Sequence, residues 1–232
     1  MEQIAPFIFP SYVFLQLLQL VWTFRLARLI TRLDLALLVI IQVAIFYDNS
    51  AMVLGLLLKA DATLEMINSA RFLLHSFLAP SLIVLATRIL LDTLKEAKET
   101  ANRQKYEKIA WIVAVAVSLF WTGANFFIVL KLAPLGAVQR YTMNRDLTPL
   151  WIFLLTPAAI SLITVYIAVV GIFVWRKLKS AWLLVAAALM LGIGGAFPAS
   201  TSAIPITNGA ELIFVFGLLF TELKISKSKE SP

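Results

Sequence analysis

The chain has 232 residues, of which 61% are hydrophobic and 14% charged, and its mean hydropathy is +0.90. Soluble domains are nearer a quarter charged, so membrane-spanning helices are expected here and a large soluble core is excluded. No cysteine is present, which excludes disulfides, thiolate metal sites and cysteine nucleophiles; the net charge of +7 lies between oily runs, where membrane topology and anionic headgroups explain it better than nucleic acid does.

The first apolar run covers residues 5–24, with Pro6 and Pro10 near its start and Arg25, Arg28 and Arg32 after it. Basic residues precede the core of a signal peptide, so this reads as a retained helix with its N-terminus outside. The second run, residues 34–58, holds Tyr47, Asp48 and Asn49 and ends near Gly55. A re-entrant half-helix over 49–58 is an alternative. The third run, residues 66–91, carries Asn68, Arg71, His75 and Pro80. The short connector at 59–63 makes runs two and three an antiparallel hairpin. Residues 92–108 read as a charged, exposed helical connector with pairs such as Glu96 and Lys98.

The fourth run is 109–130, with Trp121, Thr122 and Asn125. Residues 131–149 form the longest polar stretch outside the membrane. The fifth run, 150–174, contains Pro157, and a tight basic turn follows at Arg176, Lys177 and Lys179. The sixth run, 181–197, holds Gly192, Gly194 and Gly195, read together with Ala186–Ala188 as a helix-packing surface. An uncharged loop reaches Asn208, the seventh run is 209–223 with Glu211 near its start, and a lysine-containing tail ends the chain. The expected fold is all-α: one domain, a seven-helix membrane bundle. Fifteen of the twenty basic residues fall on one side of it, which gives N-terminus out and C-terminus in. Trp22, Trp111, Trp151, Trp175 and Trp182 fall at helix ends, where indoles favour the interface.

Depth along the helices picks out the polar residues. At about 1.5 Å per residue, Asp48 lies roughly 16 Å from the outer end of run two and His75 roughly 18 Å from the outer end of run three, so the two are level. Arg71 is one turn nearer the outer surface. Asn68, Arg71 and His75 share a face through their i, i+3, i+7 spacing. Asn125 and Glu211 lie nearer their outer ends. An ionisable residue in hydrocarbon costs at least ~2.5–3.5 kcal/mol on insertion scales, so Asp48, Arg71 and Glu211 must face the interior and find partners.

The structural readings are plain ones. Arg71 could snorkel to the headgroups or form a register-fixing ion pair with Asp48. Glu211 could favour a helix N-terminus, and Thr122 and Asn125 could be interhelical glue. The functional reading is a pocket in the outer half. Asp48, His75 and Glu211 would be its catalytic groups, and Tyr47, Asn49, Asn68, Arg71, Trp121 and Asn125 would bind substrate.

No metal-ligand spacing accompanies the single histidine, and no metal or other cofactor is expected. No lysine falls between Gly209 and Leu223, unlike the retinal-linked lysine of microbial rhodopsins. Length, helix count and an intramembrane acid pair are similar to those of small integral-membrane terpene cyclases, although the local motif of that family is absent. The similarity implies chemistry that a carboxyl in an oily pocket can perform, namely protonation of an alkene or epoxide, with Tyr47, Trp121 and Phe126 as cation-stabilising faces. The leading expectation is a membrane-embedded enzyme on a lipophilic lipid or isoprenoid, with the bilayer and a lipophilic small molecule as partners. A carrier or ligand sensor is the second, using Gln42, Ser161, Thr164 and Tyr166 as inner-half polar groups, and an assembly factor is the third.

Overall fold

The computed structural model describes residues 2–29, 33–94, 100–197 and 203–230. The helices are α1 (Ala5–Leu29), α2 (Leu33–Leu54), α3 (Ala62–Leu78), α4 (Ser81–Thr93), α5 (Thr100–Asn125), α6 (Leu150–Leu178), α7 (Trp182–Ala196) and α8 (Ile204–Glu230). One two-stranded hairpin, β1 (Leu130–Leu132) and β2 (Tyr141–Met143), joins α5 to α6. The protein is therefore all-α apart from this hairpin.

Among the described residues, six helical stretches are long and apolar enough to cross a membrane, the make-up of an integral membrane protein. One of them, Ala62–Thr93, is α3 and α4 taken together. Asp61 starts α3 by accepting from the backbone N–H groups of Thr63 and Leu64, which satisfies two orphan donors. Pro80 ends it, because proline has no N–H for the i−4 carbonyl. Ala79 and Pro80 keep right-handed helical dihedrals, so α4 continues the same crossing. Of the seven expected crossings, the sixth differs. Helix α7 has 15 residues, roughly 22 Å at ~1.5 Å per residue, which is shorter than the ~30 Å hydrocarbon core.

Several boundaries move. Helix α2 is continuous through Asp48 and stops at Leu54, with turns at residues 55–57, so the re-entrant alternative is overturned. Helix α5 ends at Asn125, not at residue 130. Helix α8 begins at Ile204, which puts Asn208 inside a helix and moves Glu211 beyond its first turn. Of the connector expected over 92–108, the pair Glu96 and Lys98 lies outside the described residues. Arg103 and Glu107 belong to α5 and turn back to α4, so this is not a freely exposed extension.

Residues 131–149, read from sequence only as a polar stretch, hold a hairpin with buried apolar residues. Leu130 pairs with Met143, Lys131 with Thr142 and Leu132 with Tyr141, and the hairpin turns at Gly136, whose φ of 59° suits glycine. Leu135 and Val138 bridge across the turn and are fully buried against Ala5, Phe9 and Met52. Gln139 N–H donates to the Gly55 carbonyl at 2.8 Å. A Cβ on Gly55 would sit 1.9 Å from the Gln139 oxygen, so this close approach requires glycine. The hairpin thus caps one end of the bundle.

The main apolar core lies towards the other end, where Leu37, Leu38, Ile41, Val84, Leu85, Ile89, Ile167, Val170 and Leu218 interdigitate. Helix α7 closes on it through glycines of its neighbours. A Cβ at Gly171 would meet Leu184 backbone at 2.7 Å, and one at Gly217 would meet the Ala186 side chain at 2.4 Å. Of the expected packing surface, Ala186 and Ala187 are buried in this contact, whereas a Cβ on Gly192, Gly194 or Gly195 would meet nothing within 4 Å among the described residues.

Candidate functional site

The capped end holds a polar cluster built by α2, α3, α5, α6 and α8. Helical phase puts Asp48 and Asn49 on the buried side of α2, and the spacing of Asn68, Arg71 and His75 puts them on the facing side of α3. Arg71 Nε donates to Asp48 Oδ1 at 2.8 Å. Its Nη1 donates to Asn68 Oδ1 at 3.1 Å and lies 3.7 Å from Met52 Sδ. Asn68 Nδ2 in turn donates to the Leu64 carbonyl, so both ends of that amide are used. The pairing of Asp48 with Arg71, rather than with His75 or headgroups, follows from this geometry.

Asp48 has a second partner. Asn208 Nδ2 donates to Asp48 Oδ2 at 3.0 Å and to Asn49 Oδ1 at 2.9 Å. Asn49 Nδ2 donates back to the Ile45 carbonyl. Both oxygens of Asp48 are therefore engaged by donors from two other helices. Asp48 is buried and its carboxylate is fixed in place, with α2, α3 and α8 tied through it.

Beside the pair lies a cavity of about 180 Å³. Asp48, Arg71, His75 and Phe72 form one wall, Trp121, Asn125, Thr156 and Ile160 another, and Asn208 and Glu211 a third. Asn125 Nδ2 donates to Ser76 Oγ at 2.5 Å and to the Phe72 carbonyl at 3.0 Å, and Ser76 is 3.3 Å from Thr122. Asn125 thus both lines the cavity and ties α5 to α3. Trp121 Nε1 donates to Thr156 Oγ1 at 3.2 Å, and its ring meets the His75 imidazole edge-on at 6.4 Å. A smaller chamber of about 50 Å³ continues towards the apolar core, and His75 and Glu211 line it too. These two residues therefore stand between the chambers.

Glu211 differs from Asp48. Its Oε2 is buried and has no hydrogen-bond partner among the described residues, although burying a polar oxygen without a partner costs free energy. A second unmatched group sits on the cap. Arg140 is 2% exposed, and its Nε has no hydrogen-bond partner among the described residues. Burial, reinforced by the charge of Arg71 and opposed by that of Asp48, pulls its guanidinium down to about 10.

Of the nine residues expected to form a site, Asp48, Arg71, His75, Trp121, Asn125 and Glu211 line the cavity. Tyr47, Asn49 and Asn68 are not among its lining residues. Tyr47 donates to the Ile67 carbonyl at 3.1 Å, and the two asparagines brace the ion pair. Asn208, Thr156 and Arg140 escape sequence reasoning. Asn208 had a signal in Pro205 near a helix start and in its i, i+3 spacing to Glu211. Arg140 had one in two short apolar alternations around Pro134 and Gly136.

The described residues bring no three His, Asp or Glu side chains together as a candidate metal site. Comparison of the chain with protein-family models, with curated proteins and with solved structures finds no match.

Proposed function

We propose that this protein is a membrane-embedded acid–base enzyme acting on a lipophilic substrate of isoprenoid or acyl character, N-terminus out and C-terminus in, with α7 as its seventh crossing. The observation that carries the reading is the Glu211 Oε2, buried and without a hydrogen-bond partner among the described residues, beside two chambers that Glu211, His75 and Ile160 all line. A carboxyl with such an oxygen at a cavity wall can give or take a proton there. Asp48 is not free in this way, because Arg71 and Asn208 occupy both its oxygens. The acid–base role therefore moves to Glu211, and Asp48 becomes the fixed anion that holds Arg71 at the wall.

In this reading Glu211 protonates an alkene or epoxide of the bound substrate. The positive charge develops beside Trp121, whose ring already stands against His75. A neighbouring C–H then loses its proton to His75 or to the Glu211 carboxylate. Atoms and charge balance without an oxidant, so the net reaction is an isomerisation or cyclisation.

The carrier reading has less support, because most of its inner-half polar groups are engaged or face outward, although Gln42 Oε1 is buried without a hydrogen-bond partner among the described residues. Gln42 donates to Thr23, Tyr166 pairs with Thr87 at 2.8 Å, Thr164 bonds its own helix, and Ser161 faces outward. The test is incubation of the nanodisc-reconstituted protein in D₂O with total polar and neutral lipid extracts, followed by untargeted mass spectrometry. Wild type is expected to introduce deuterium into at least one lipid, and Glu211→Gln to introduce none. Equal labelling by both proteins overturns the assignment.

A further inference from the structure

The cap and the lipid-facing side of the bundle carry two features that the acid–base chemistry does not use. The first is Arg140. Its backbone is held on both sides, by the Gln139 N–H on the Gly55 carbonyl and by the Ala133 N–H on its own carbonyl at 2.9 Å. Its side chain is buried, and Nε lacks an acceptor among the described residues. The charges it senses are Arg71 and Asp48, and these already neutralise each other at 2.8 Å. The cap therefore brings one buried positive charge, with no carboxylate partner among the described residues, to the end of the bundle where the cavity lies. Guanidinium groups take carboxylate and phosphate in a planar, bidentate manner.

The second feature is an apolar groove of about 440 Å³ between α4, α5 and α6. Ile83, Val117, Phe120, Ala159 and Leu162 are among its lining residues. Phe120 and Leu162 are largely exposed, so the groove opens sideways, where lipid chains would lie. Trp121 is the wall shared by this groove and the polar cavity. On one side its indole N–H meets Thr156, which also lines the cavity; on the other its ring lines hydrocarbon-like space.

We infer that the site takes an anionic amphiphile, its phosphate or carboxylate head received by Arg140 under the hairpin and its hydrocarbon chain lying past Trp121 in the α4–α5–α6 groove. This ligand is the substrate class of the proposed acid–base reaction and rests on that reading. The head supplies the acceptor that Arg140 lacks, and the chain fills apolar space that side chains leave open. Entry is lateral, from the bilayer, because the hairpin covers the end of the bundle.

Binding can be measured without turnover, by native mass spectrometry of the full chain in a neutral detergent. The probes are phosphatidic acid, oleate, octanoate, phosphatidylcholine and inorganic phosphate. Wild type is expected to retain phosphatidic acid and oleate in preference to phosphatidylcholine, and to hold inorganic phosphate at least ~10-fold more weakly, the chain supplying the difference. Arg140→Gln should weaken the two anionic lipids at least ~10-fold. Arg145→Gln, an exposed arginine lying 5.3 Å over the Phe153 ring, should leave them unchanged. Ala159→Phe, which fills the groove, should weaken oleate far more than octanoate. Should Arg140→Gln fail to fold, Arg140→Lys serves instead; it keeps the charge but not the planar fork, so anionic lipid is expected to bind more weakly than to wild type and still in preference to phosphatidylcholine. The inference is overturned if phosphatidylcholine binds as well as phosphatidic acid, if inorganic phosphate binds as tightly, if folded Arg140→Gln binds like wild type, or if folded Arg140→Lys binds anionic lipid as tightly as wild type. A protein that binds anionic lipid but labels none in D₂O breaks only the acid–base reading. One that labels a neutral lipid and ignores anionic ones breaks only this inference.

Discussion

Two clusters of buried charge sit at opposite ends of the same helices, and they are built differently. At the end away from the hairpin, Arg88 bonds Asp34 and also Glu107 at 2.7 Å, while Arg103 bonds Asp92 at 2.8 Å and Glu107 at 2.9 Å. Each arginine there spans two carboxylates, and the network ties α2, α4 and α5 together. At the hairpin end, Asp48 and Arg71 are equally well matched, but Glu211 Oε2 and Arg140 Nε are buried without a hydrogen-bond partner among the described residues, and a cavity lies beside the pair. A closed network holds helices in register. A cluster that buries unmatched groups around empty space costs stability, and that cost has a physical use only if something binds there.

Four substitutions would break or sharpen this contrast. The largest loss of stability is expected from Arg88→Ala, which strips Asp34 and Glu107 of a shared cation. Removing one partner of a buried pair costs about 3–5 kcal/mol, read as a fall in the unfolding midpoint in mixed detergent. A loss under ~1 kcal/mol, the value of an exposed pair, would show that the network is not the lock described.

Gly55→Ala comes next. Its new Cβ would collide with the Gln139 carbonyl, and overpacking of this kind costs about 1–3 kcal/mol. Hydrogen exchange should quicken over residues 130–143 while the α4–α5 network stays protected. Asn208→Ala follows, at about 1–2 kcal/mol, because it removes one amide nitrogen serving both Asp48 and Asn49. Unchanged stability there would mean that the Asp48 carboxylate is not held by α8.

Glu211→Gln should have the smallest effect on stability, within ~1 kcal/mol, because no hydrogen bond to Oε2 is lost. It should nonetheless abolish deuterium transfer. A large drop in stability would place Glu211 in the structural class with Arg88. Linkage at Arg140 adds a pH signature. Its folded-state affinity for a proton, near pH 10, lies below that of the unfolded chain. The cost of burying its charge is thus fully present at neutral pH and fades as pH rises through about 10.

Local pattern goes a long way in this molecule. The oily runs mark every membrane-length helix, because hydrocarbon leaves a helix no choice but to satisfy its own backbone. Counting along two antiparallel runs places Asp48 beside the face of Arg71, because both helices rise by the same ~1.5 Å per residue. Counting does not choose between partners at the same depth. His75 is level with Asp48, yet it turns to Trp121 while Arg71 takes the carboxylate.

What the sequence by itself determined is the class of protein, the approximate helices, and the depth of the acid, the base and the histidine, all of which follow from composition and helical period. What only the tertiary structure decided is which of those groups are spent and which are free. Asn208 reaches Asp48 across 160 positions of chain, and Arg140 arrives on a hairpin whose docking depends on Gly55 and on two buried apolar side chains. Such contacts depend on how helices pack around one another and on no local pattern. For that reason Glu211, and not Asp48, keeps a buried carboxyl oxygen without a hydrogen-bond partner among the described residues.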